Sequence, residues 1–142
     1  MLSGQYTHNM DKKGRVFIPA KLREELGTKI VLCKSLDMNN CLCIYTAAEY
    51  QRITQKIKEN KLVVRNKLLR YLSSSAELEY DAQGRVNVPL PLREFADLSD
   101  AEPVMIVGTS DKVEIWNKTL WDEENSEDLA EELRSLIDGV DI

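Results

Sequence analysis

The sequence predicts an α+β fold, mainly β, in which two copies of one small unit share a core and carry helices on the outside. Three observations predict it: a segment that recurs at an offset of 70 residues, strand-like alternation after each copy of a tight turn, and a short helix after each of those strands. Each half of the 142-residue chain would be marginally stable alone. We therefore expect the copies to interleave into one β-barrel with pseudo-twofold symmetry.

The repeat is carried by residues 11–24 and 81–94, which share eight identities in one window of 14 without a gap. The first copy reads Asp-Lys-Lys-Gly-Arg-Val-Phe-Ile-Pro from Asp11, and the second reads Asp-Ala-Gln-Gly-Arg-Val-Asn-Val-Pro from Asp81. Farther along the chain, residues 42–45 match residues 113–116 at an offset of 71. The order of these matches predicts two structurally equivalent units.

Each copy begins with a tight turn of the form Asp-x-x-Gly-Arg. The carboxylates of Asp11 and Asp81 can accept hydrogen bonds from amides farther along the turn. Gly14 and Gly84 supply the positive φ that such turns require. These four residues are therefore predicted to shape the two turns.

A short strand and a short helix are predicted after each turn. In the first copy the period-two alternation places Val16 and Ile18 toward the core and Arg15 and Phe17 on the other face. Proline then ends the strand, and a helix over 20–26 is stopped by a glycine. In the second copy we expect a proline at the first helical position, which is Pro91.

The remaining elements follow from shorter patterns. Strands are predicted over 29–33 and 104–107, each followed by a turn and a second strand. Thr46 opens a capping box, Thr-Ala-Ala-Glu, at the start of an amphipathic helix, and another amphipathic helix is predicted over 63–72. The predicted organisation is a first repeat (1–60, basic and facing DNA), a linking helix (61–76), a second repeat (77–121) and an acidic C-terminal helix or tail (122–142).

Charge is distributed very unevenly about the net value of −5. Residues 1–72 carry 14 Lys and Arg against 6 Asp and Glu, whereas residues 73–142 carry 5 against 18. A polyanionic partner would respond to the basic first half, because charges beyond about 8 Å are largely screened at physiological salt. The alternative is that both charged faces are merely solvated. The tail also has an apolar stripe, formed by Leu129, Leu133, Leu136 and Val140.

Several classes of protein are disfavoured by what the sequence contains. There is no long apolar run and no secretory signal, so we expect a cytoplasmic protein. Cys33, Cys41 and Cys43 are an odd number of cysteines, and the one histidine, His8, is distant, so structural cysteines are expected rather than a disulfide framework or a metal site. No nucleophile or phosphate-loop motif is found, and we expect no enzyme, no cofactor and no small-molecule substrate.

The paired Asp-x-x-Gly-Arg turns, each leading into a strand, a proline and Leu-Arg-Glu, resemble the MraZ family of bacterial regulators. The resemblance runs from Leu2 to about Trp121 and includes Gly-x-Tyr-x-His from Gly4 and the Glu-Ile-Trp strand end at residues 114–116. It implies an AbrB-like swapped-hairpin barrel with both halves in one chain. It also implies a ring-like homo-oligomer, associated with the nucleoid, that binds repeated short DNA boxes upstream of the division and cell-wall gene cluster and usually represses its own gene.

The residues expected to contact double-stranded DNA lie mostly in the basic first copy. Arg15 is the first candidate, since its guanidinium can bind guanine O6 and N7 together. The other candidates would bind phosphate or repeat the Arg15 contact, and they are Lys12, Lys13, Lys21, Arg23 and Arg85.

Two alternatives remain open at the level of sequence. Arg15 could instead form a structural salt bridge with Asp11 or Asp81, and the second turn, which has Ala82 and Gln83 in place of the lysines, could serve structure or assembly. The protein could also be a protein-binding assembly factor or antitoxin-like module of the same fold, with the acidic tail as its working surface.

Overall fold

The computed structural model describes residues 1–126 and 128–142, so one residue of the acidic tail predicted over 122–142, Glu127, lies outside the described residues. The first repeat contributes β1 (Leu2–Asn9), β2 (Arg15–Phe17), α1 (Ala20–Leu26), β3 (Ile30–Lys34), β4 (Leu42–Thr46) and α2 (Ala47–Lys58). After α3 (Leu62–Tyr71) and a single 3-10 turn (Leu72–Ser74), the second repeat contributes β5 (Ala76–Leu78), β6 (Arg85–Asn87), α4 (Leu90–Phe95), β7 (Pro103–Ser110), β8 (Val113–Asn117) and α5 (Lys118–Glu124). The chain ends with α6 (Leu129–Gly139).

The strands form one six-stranded antiparallel sheet and one two-stranded ribbon, which confirms the α+β class. The order in the large sheet is β1-β7-β8-β4-β3-β5, and β2 pairs with β6 in the ribbon. The first strand of each repeat pairs with the other repeat: β1 with β7, and β5 with β3. In the described chain β1 and β5 are the two edges of an open sheet, so a closed barrel is not confirmed.

The two repeats share one core between the ribbon and the sheet. Val16 and Ile18 are fully buried, as the alternation predicted, and their counterparts Val86 and Val88 are fully buried as well. They pack on the inward residues of the four central strands, which are Ile30, Leu32, Leu42, Ile44, Val104, Ile106, Val113 and Ile115. Neither repeat has this core alone, because each supplies one strand of the ribbon and half of the sheet.

The opposite face of the sheet is covered by helices. Next to α2 and α3, Cys33, Cys43 and Tyr45 are buried with Ile57. A separate cluster of Cys41, Met105, Val107 and Trp116 lies under α5, where Leu120 and Trp121 pack against it. Because both faces of the central strands are buried, β3, β4, β7 and β8 are almost continuously apolar in sequence.

Local sequence signals fix most of the element boundaries. The hydroxyl of Thr46 accepts a hydrogen bond from the Glu49 amide at 3.1 Å, so half of the predicted capping box is present at the start of α2. Gly27 follows α1 with φ of 75°, which confirms the predicted glycine stop. The prediction for Pro91 was wrong by one residue, since Leu90 begins α4 and Pro91 is its second residue. β1, eight residues long, was not predicted from the sequence.

Candidate nucleic-acid interface

The first Asp-x-x-Gly-Arg turn is organised by a single carboxylate. Asp11 Oδ1 accepts hydrogen bonds from the backbone amides of Lys13 at 3.0 Å and Arg15 at 2.9 Å. Its Oδ2 accepts a hydrogen bond from Arg15 Nε at 2.6 Å, and Gly14, with φ of 81°, closes the turn by donating its amide to Asp11 O. The sequence predicted this turn-shaping role for Asp11 and Gly14, and the geometry is that of such a turn.

The second turn has the same geometry with different residues at its tip. Asp81 Oδ1 accepts hydrogen bonds from the amides of Gln83 and Arg85, both at 2.9 Å, and Oδ2 accepts from Arg85 Nε at 2.8 Å. Gly84 again has φ of 81°. The backbone of the turn is therefore kept in both repeats, whereas the two lysines are present only in the first.

The β2–β6 ribbon brings the two turns together. Its ladder is symmetric about the pair Val16↔Val86, with Arg15 opposite Asn87 and Phe17 opposite Arg85. Symmetric hydrogen bonds extend it, from the Ile18 amide to Gly84 O and from the Val88 amide to Gly14 O. This symmetry is what a pseudo-twofold relation between the turns requires.

Both turn arginines are paired with carboxylates and yet remain accessible. Arg15 Nε lies 2.6 Å from Asp11 Oδ2, and Arg85 Nη1 reaches the same oxygen at 3.6 Å. The side chains of Arg15 and Arg85 keep 31% and 26% of their surface exposed. Both ion pairs are partly exposed, so solvent and salt screen them. The salt bridge that the sequence left open is therefore present, and part of each arginine side chain stays accessible.

The two carboxylates are held in their charged form. The pKa of Asp11 lies below its ordinary value of 3.8, chiefly because the Arg15 amide donates to it, with the Arg15 guanidinium and the Lys13 amide adding to the effect against slight desolvation. The pKa of Asp81 is lowered in the same way by Arg85 and Gln83. Each carboxylate is thus committed to its own turn, which argues against a catalytic carboxylate pair.

Arg23 and Arg93 occupy a different position, each lying across the turn of the other repeat. Arg23 donates from Nε to Ile18 O at 2.7 Å and also contacts the rings of Phe17 and Tyr80. A Cβ added to Gly84 would come within 2.6 Å of the Arg23 guanidinium carbon, and one added to Gly14 would meet Arg93 at 2.7 Å. Arg23, which is half-buried, therefore packs at the interface between the repeats, and the phosphate contact that the sequence predicted for it stays a prediction.

Exposed lysines lie at the tip of the first turn and on the helix that follows it. Lys12, Lys13 and Lys21 are all exposed, and the matching turn positions of the second repeat are the neutral Ala82 and Gln83. The outer face of the ribbon also carries Phe17, which packs edge-on against His8 of β1 at 5.1 Å between ring centroids. Sequence reasoning did not assign His8 to this surface, because only the strand pairing of β1 brings it there.

Taken together, these features define a class: a protein of two fused β-rich repeats that presents a pair of arginine-bearing turns on one short ribbon. Residues 1–69 and 71–137 each match the family described as "MraZ protein, putative antitoxin-like". The chain belongs to the MraZ family, as the resemblance of its sequence predicted.

Curated relatives match over the full length of the chain. It is 43% identical to the transcriptional regulator MraZ of Thermoanaerobacter sp. (strain X514) and of Caldanaerobacter subterraneus subsp. tengcongensis, with all of both chains covered in each case. It is 44% identical to the transcriptional regulator MraZ of Carboxydothermus hydrogenoformans over 85% of this chain and 84% of the relative. These names confirm the prediction of a non-enzymatic protein. Within the described residues, no helix is long and apolar enough to cross a membrane.

Proposed function

We propose that this protein is a transcriptional regulator that binds double-stranded DNA through its first Asp-x-x-Gly-Arg turn. The observation that carries the proposal is the presentation of Arg15, partly exposed, beside the exposed Lys12 and Lys13 on a rigid ribbon. The names of the relatives support it.

Arg15 is proposed to read a base and the lysines to hold phosphates. A bidentate contact of arginine with guanine is worth about 1–3 kcal/mol of discrimination against the wrong base. The ion pair with Asp11 is partly exposed and screened, so Arg15 can exchange this partner for a base. Lys12, Lys13 and Lys21 would contact phosphates, which position a protein without reading sequence.

The roles of the second turn and of Arg23 differ from that of Arg15. Arg85 is as exposed as Arg15 but has no neighbouring lysines, so we propose a weaker, auxiliary DNA contact for it. Arg23 positions the second turn by packing over Gly84. Asp11, Gly14, Asp81 and Gly84 act through the shape of the turns.

Self-association is proposed to supply the affinity that one turn lacks. Helix α6 exposes the apolar residues Leu133, Leu136, Ile137 and Val140 beside acidic neighbours. Helix α3 exposes Leu62, Val63 and Val64 beside Lys61 and Lys67. Apolar surfaces with opposite charge suit each other, so we propose that α6 of one copy packs on α3 of the next.

An oligomer built in this way would bind several short DNA boxes at once, and the effective concentration of the later contacts would raise the overall affinity. The proposed target is the promoter region of the division and cell-wall gene cluster, including the protein's own gene, with autorepression as the outcome. The protein would then be cytoplasmic and nucleoid-associated.

The test is a titration of the purified protein against its own upstream DNA, followed by fluorescence anisotropy. Arg15→Ala is expected to weaken specific binding by roughly 5- to 150-fold for each engaged turn, with little change in melting temperature. Arg52→Ala is the matched control, because Arg52 is also ion-paired and exposed but lies on α2. Equal affinity of the Arg15→Ala and Arg52→Ala proteins would contradict the assignment.

A second candidate function is a protein-binding module, favoured by the exposed apolar residues of α6. It predicts no specific DNA binding by the unmodified protein and tight binding of a protein partner through α6. The same titration separates the two functions, because specific binding to the upstream DNA is expected only from the regulator.

A further inference from the structure

A buried group of two thiols and one carboxylate lies on the helix-covered face of the large sheet. The potential ligand atoms of Cys41, Cys43 and Glu114 all lie within 4.8 Å of one another. Both cysteines are fully buried and Glu114 is 8% exposed. Charged side chains are rarely buried to this degree without a partner, so the carboxylate in this position calls for an explanation.

Strand pairing explains how the three residues meet. Cys41 lies in the bend just before β4, and its thiol comes within 4.8 Å of the ligand atoms of Cys43 and Glu114. Cys43 is the direct cross-strand neighbour of Glu114 in the β4–β8 ladder. Structural cysteines were expected because the sequence offers no second cysteine pair and only a distant histidine, and Glu114 comes beside the thiols only through this strand pairing.

The surroundings orient this group. The indole Nε1–H of Trp116 donates to Glu114 Oε1 at 3.0 Å within the buried layer, which fixes the carboxylate and leaves Oε2 free of that contact. Lys112 is 16% exposed. Its Nζ lies 3.7 Å from Asp37 Oδ2 and 4.0 Å from Asp111 Oδ1.

We propose that Cys41, Cys43 and Glu114 bind one thiophilic divalent cation of the zinc type. Two thiolates and a carboxylate are ligands that zinc accepts, with distances and geometry that a group of this size can adopt. Two thiolates, one carboxylate and a divalent ion sum to a charge of minus one, so the ion itself balances most of the charge of its ligands. Trp116 then serves as the outer partner that orients the carboxylate.

A cavity of about 260 Å³ lies beside Trp116 and is lined by Trp116, Leu120, Glu123, Glu124 and the loop Met38–Asn40. None of the three proposed ligands lines this cavity. The ion would connect β4 of the first repeat to β8 of the second, at the middle of the six-stranded sheet, and so would clamp the two repeats together.

The test uses the full-length, chemically reduced protein with Zn²⁺ in competition against a coloured chelator, and with Co²⁺ as a spectroscopic probe. We expect one Zn²⁺ per chain and a thiolate-to-cobalt charge-transfer band with Co²⁺. Zn²⁺ should also raise the melting temperature. Cys41→Ser and Cys43→Ser should lose the band and the thermal shift, and Trp116→Phe should weaken binding by roughly 10- to 100-fold.

Cys33→Ser is the matched control. Cys33 is as buried as the other two cysteines and lies opposite Cys43 in the β3–β4 ladder, but it is outside the group of three. Its substitution should leave stoichiometry and spectrum unchanged. If circular dichroism shows that Cys41→Ser or Cys43→Ser does not fold, the same measurements of Zn²⁺ and Co²⁺ binding are compared between the unmodified protein and Glu114→Gln. Absence of a charge-transfer band in the unmodified protein, or equal loss in Cys33→Ser, would overturn the proposal.

Discussion

At the scale of single residues, the Asp-x-x-Gly-Arg turn reconciles two interpretations that the sequence left open. Arg15 forms the ion pair with Asp11 and still exposes about a third of its side chain. The carboxylate is needed mainly for the backbone, because it accepts the amides of Lys13 and Arg15 as well as the guanidinium. Loss of Arg15 therefore leaves most of the turn's hydrogen bonds in place, and a functional role can be tested without unfolding the protein.

Lys13 provides the sharpest electrostatic prediction at this scale. Each phosphate that a protein neutralises releases counterions. On duplex DNA, log K therefore falls with log[salt] with a slope of about −0.9 for each phosphate contact. Lys13→Gln should reduce the slope of log K against log[salt] by about one unit for each first turn engaged. The measurement is a salt series of anisotropy titrations with upstream DNA.

Lys58→Gln is the control for Lys13, because Lys58 is equally a surface lysine but ends α2. The slope of log K against log[salt] for Lys58→Gln should match that of the unmodified protein. A slope for Lys13→Gln that is unchanged from the unmodified protein would remove Lys13 from the DNA contacts.

At the scale of elements, the β2–β6 ribbon depends on contacts that cross between the repeats. Each of its turns is covered by an arginine from the other repeat, Arg23 over Gly84 and Arg93 over Gly14. The positive φ of 81° favours glycine at both positions, and a Cβ there would also require the arginine side chain above it to shift. The ribbon is thus held by the same residues that define the sequence repeat.

Gly84→Ala should therefore destabilise the protein through both strain and displacement of Arg23. Backbone strain at positive φ costs on the order of 1–3 kcal/mol, and the lost arginine contacts add to it. The free energy of unfolding, measured by chemical denaturation at fixed protein concentration, should fall by more than it does in Gly27→Ala. Gly27 also has positive φ, but a Cβ there meets nothing within 4 Å.

A double-mutant cycle isolates the second contribution. In an Arg23→Ala background the cost of Gly84→Ala should approach that of Gly27→Ala, because the crowding has been removed. If the changes in the free energy of unfolding caused by Arg23→Ala and Gly84→Ala are fully additive, Arg23 is not in steric conflict with a side chain at position 84.

At the scale of the whole molecule, basic and acidic residues lie in different halves of the chain, and the acidic end also exposes apolar residues. The basic first half presents the lysine-bearing turn, and the acidic end of the chain forms α6, whose apolar residues are exposed in a single chain. A contiguous apolar surface of this kind usually marks an interaction site. The use that we propose for this surface is self-association.

Leu136→Glu should disrupt this proposed association. Leu136 is 62% exposed, so the change costs the single chain little, but it places a charge in the apolar surface that would face α3 of the next copy. Sedimentation velocity should show a smaller species than the unmodified protein, and binding to upstream DNA should weaken with it.

Arg134→Ala changes the net charge by the same amount on the opposite side of α6 and is the control. It should leave the sedimentation coefficient unchanged. Equal sedimentation coefficients for Leu136→Glu and the unmodified protein would show that α6 does not take part in self-association.

The residues that sequence analysis identified correctly are those whose partners are close along the chain. The Asp11 turn closes over four residues, and Val16 and Ile18, two positions apart, are both buried on the same face. Thr46 caps α2 by accepting a hydrogen bond from the amide of Glu49, three residues farther on. These arrangements follow from local backbone geometry and side-chain chemistry. The doubling of the turn added the expectation of two equivalent units, and the family followed from it.

Pairing between distant segments decided the rest. The edge strand β1 exists because β7 supplies its partners, the sheet stays open because β1 and β5 end it on both sides, and Arg23 covers a turn 61 positions away. Glu114 joins the two cysteines only because β8 lies beside β4. Sequence patterns record which face of an element is apolar, but they do not record which element lies next to it, since that is fixed by the packing of the whole chain.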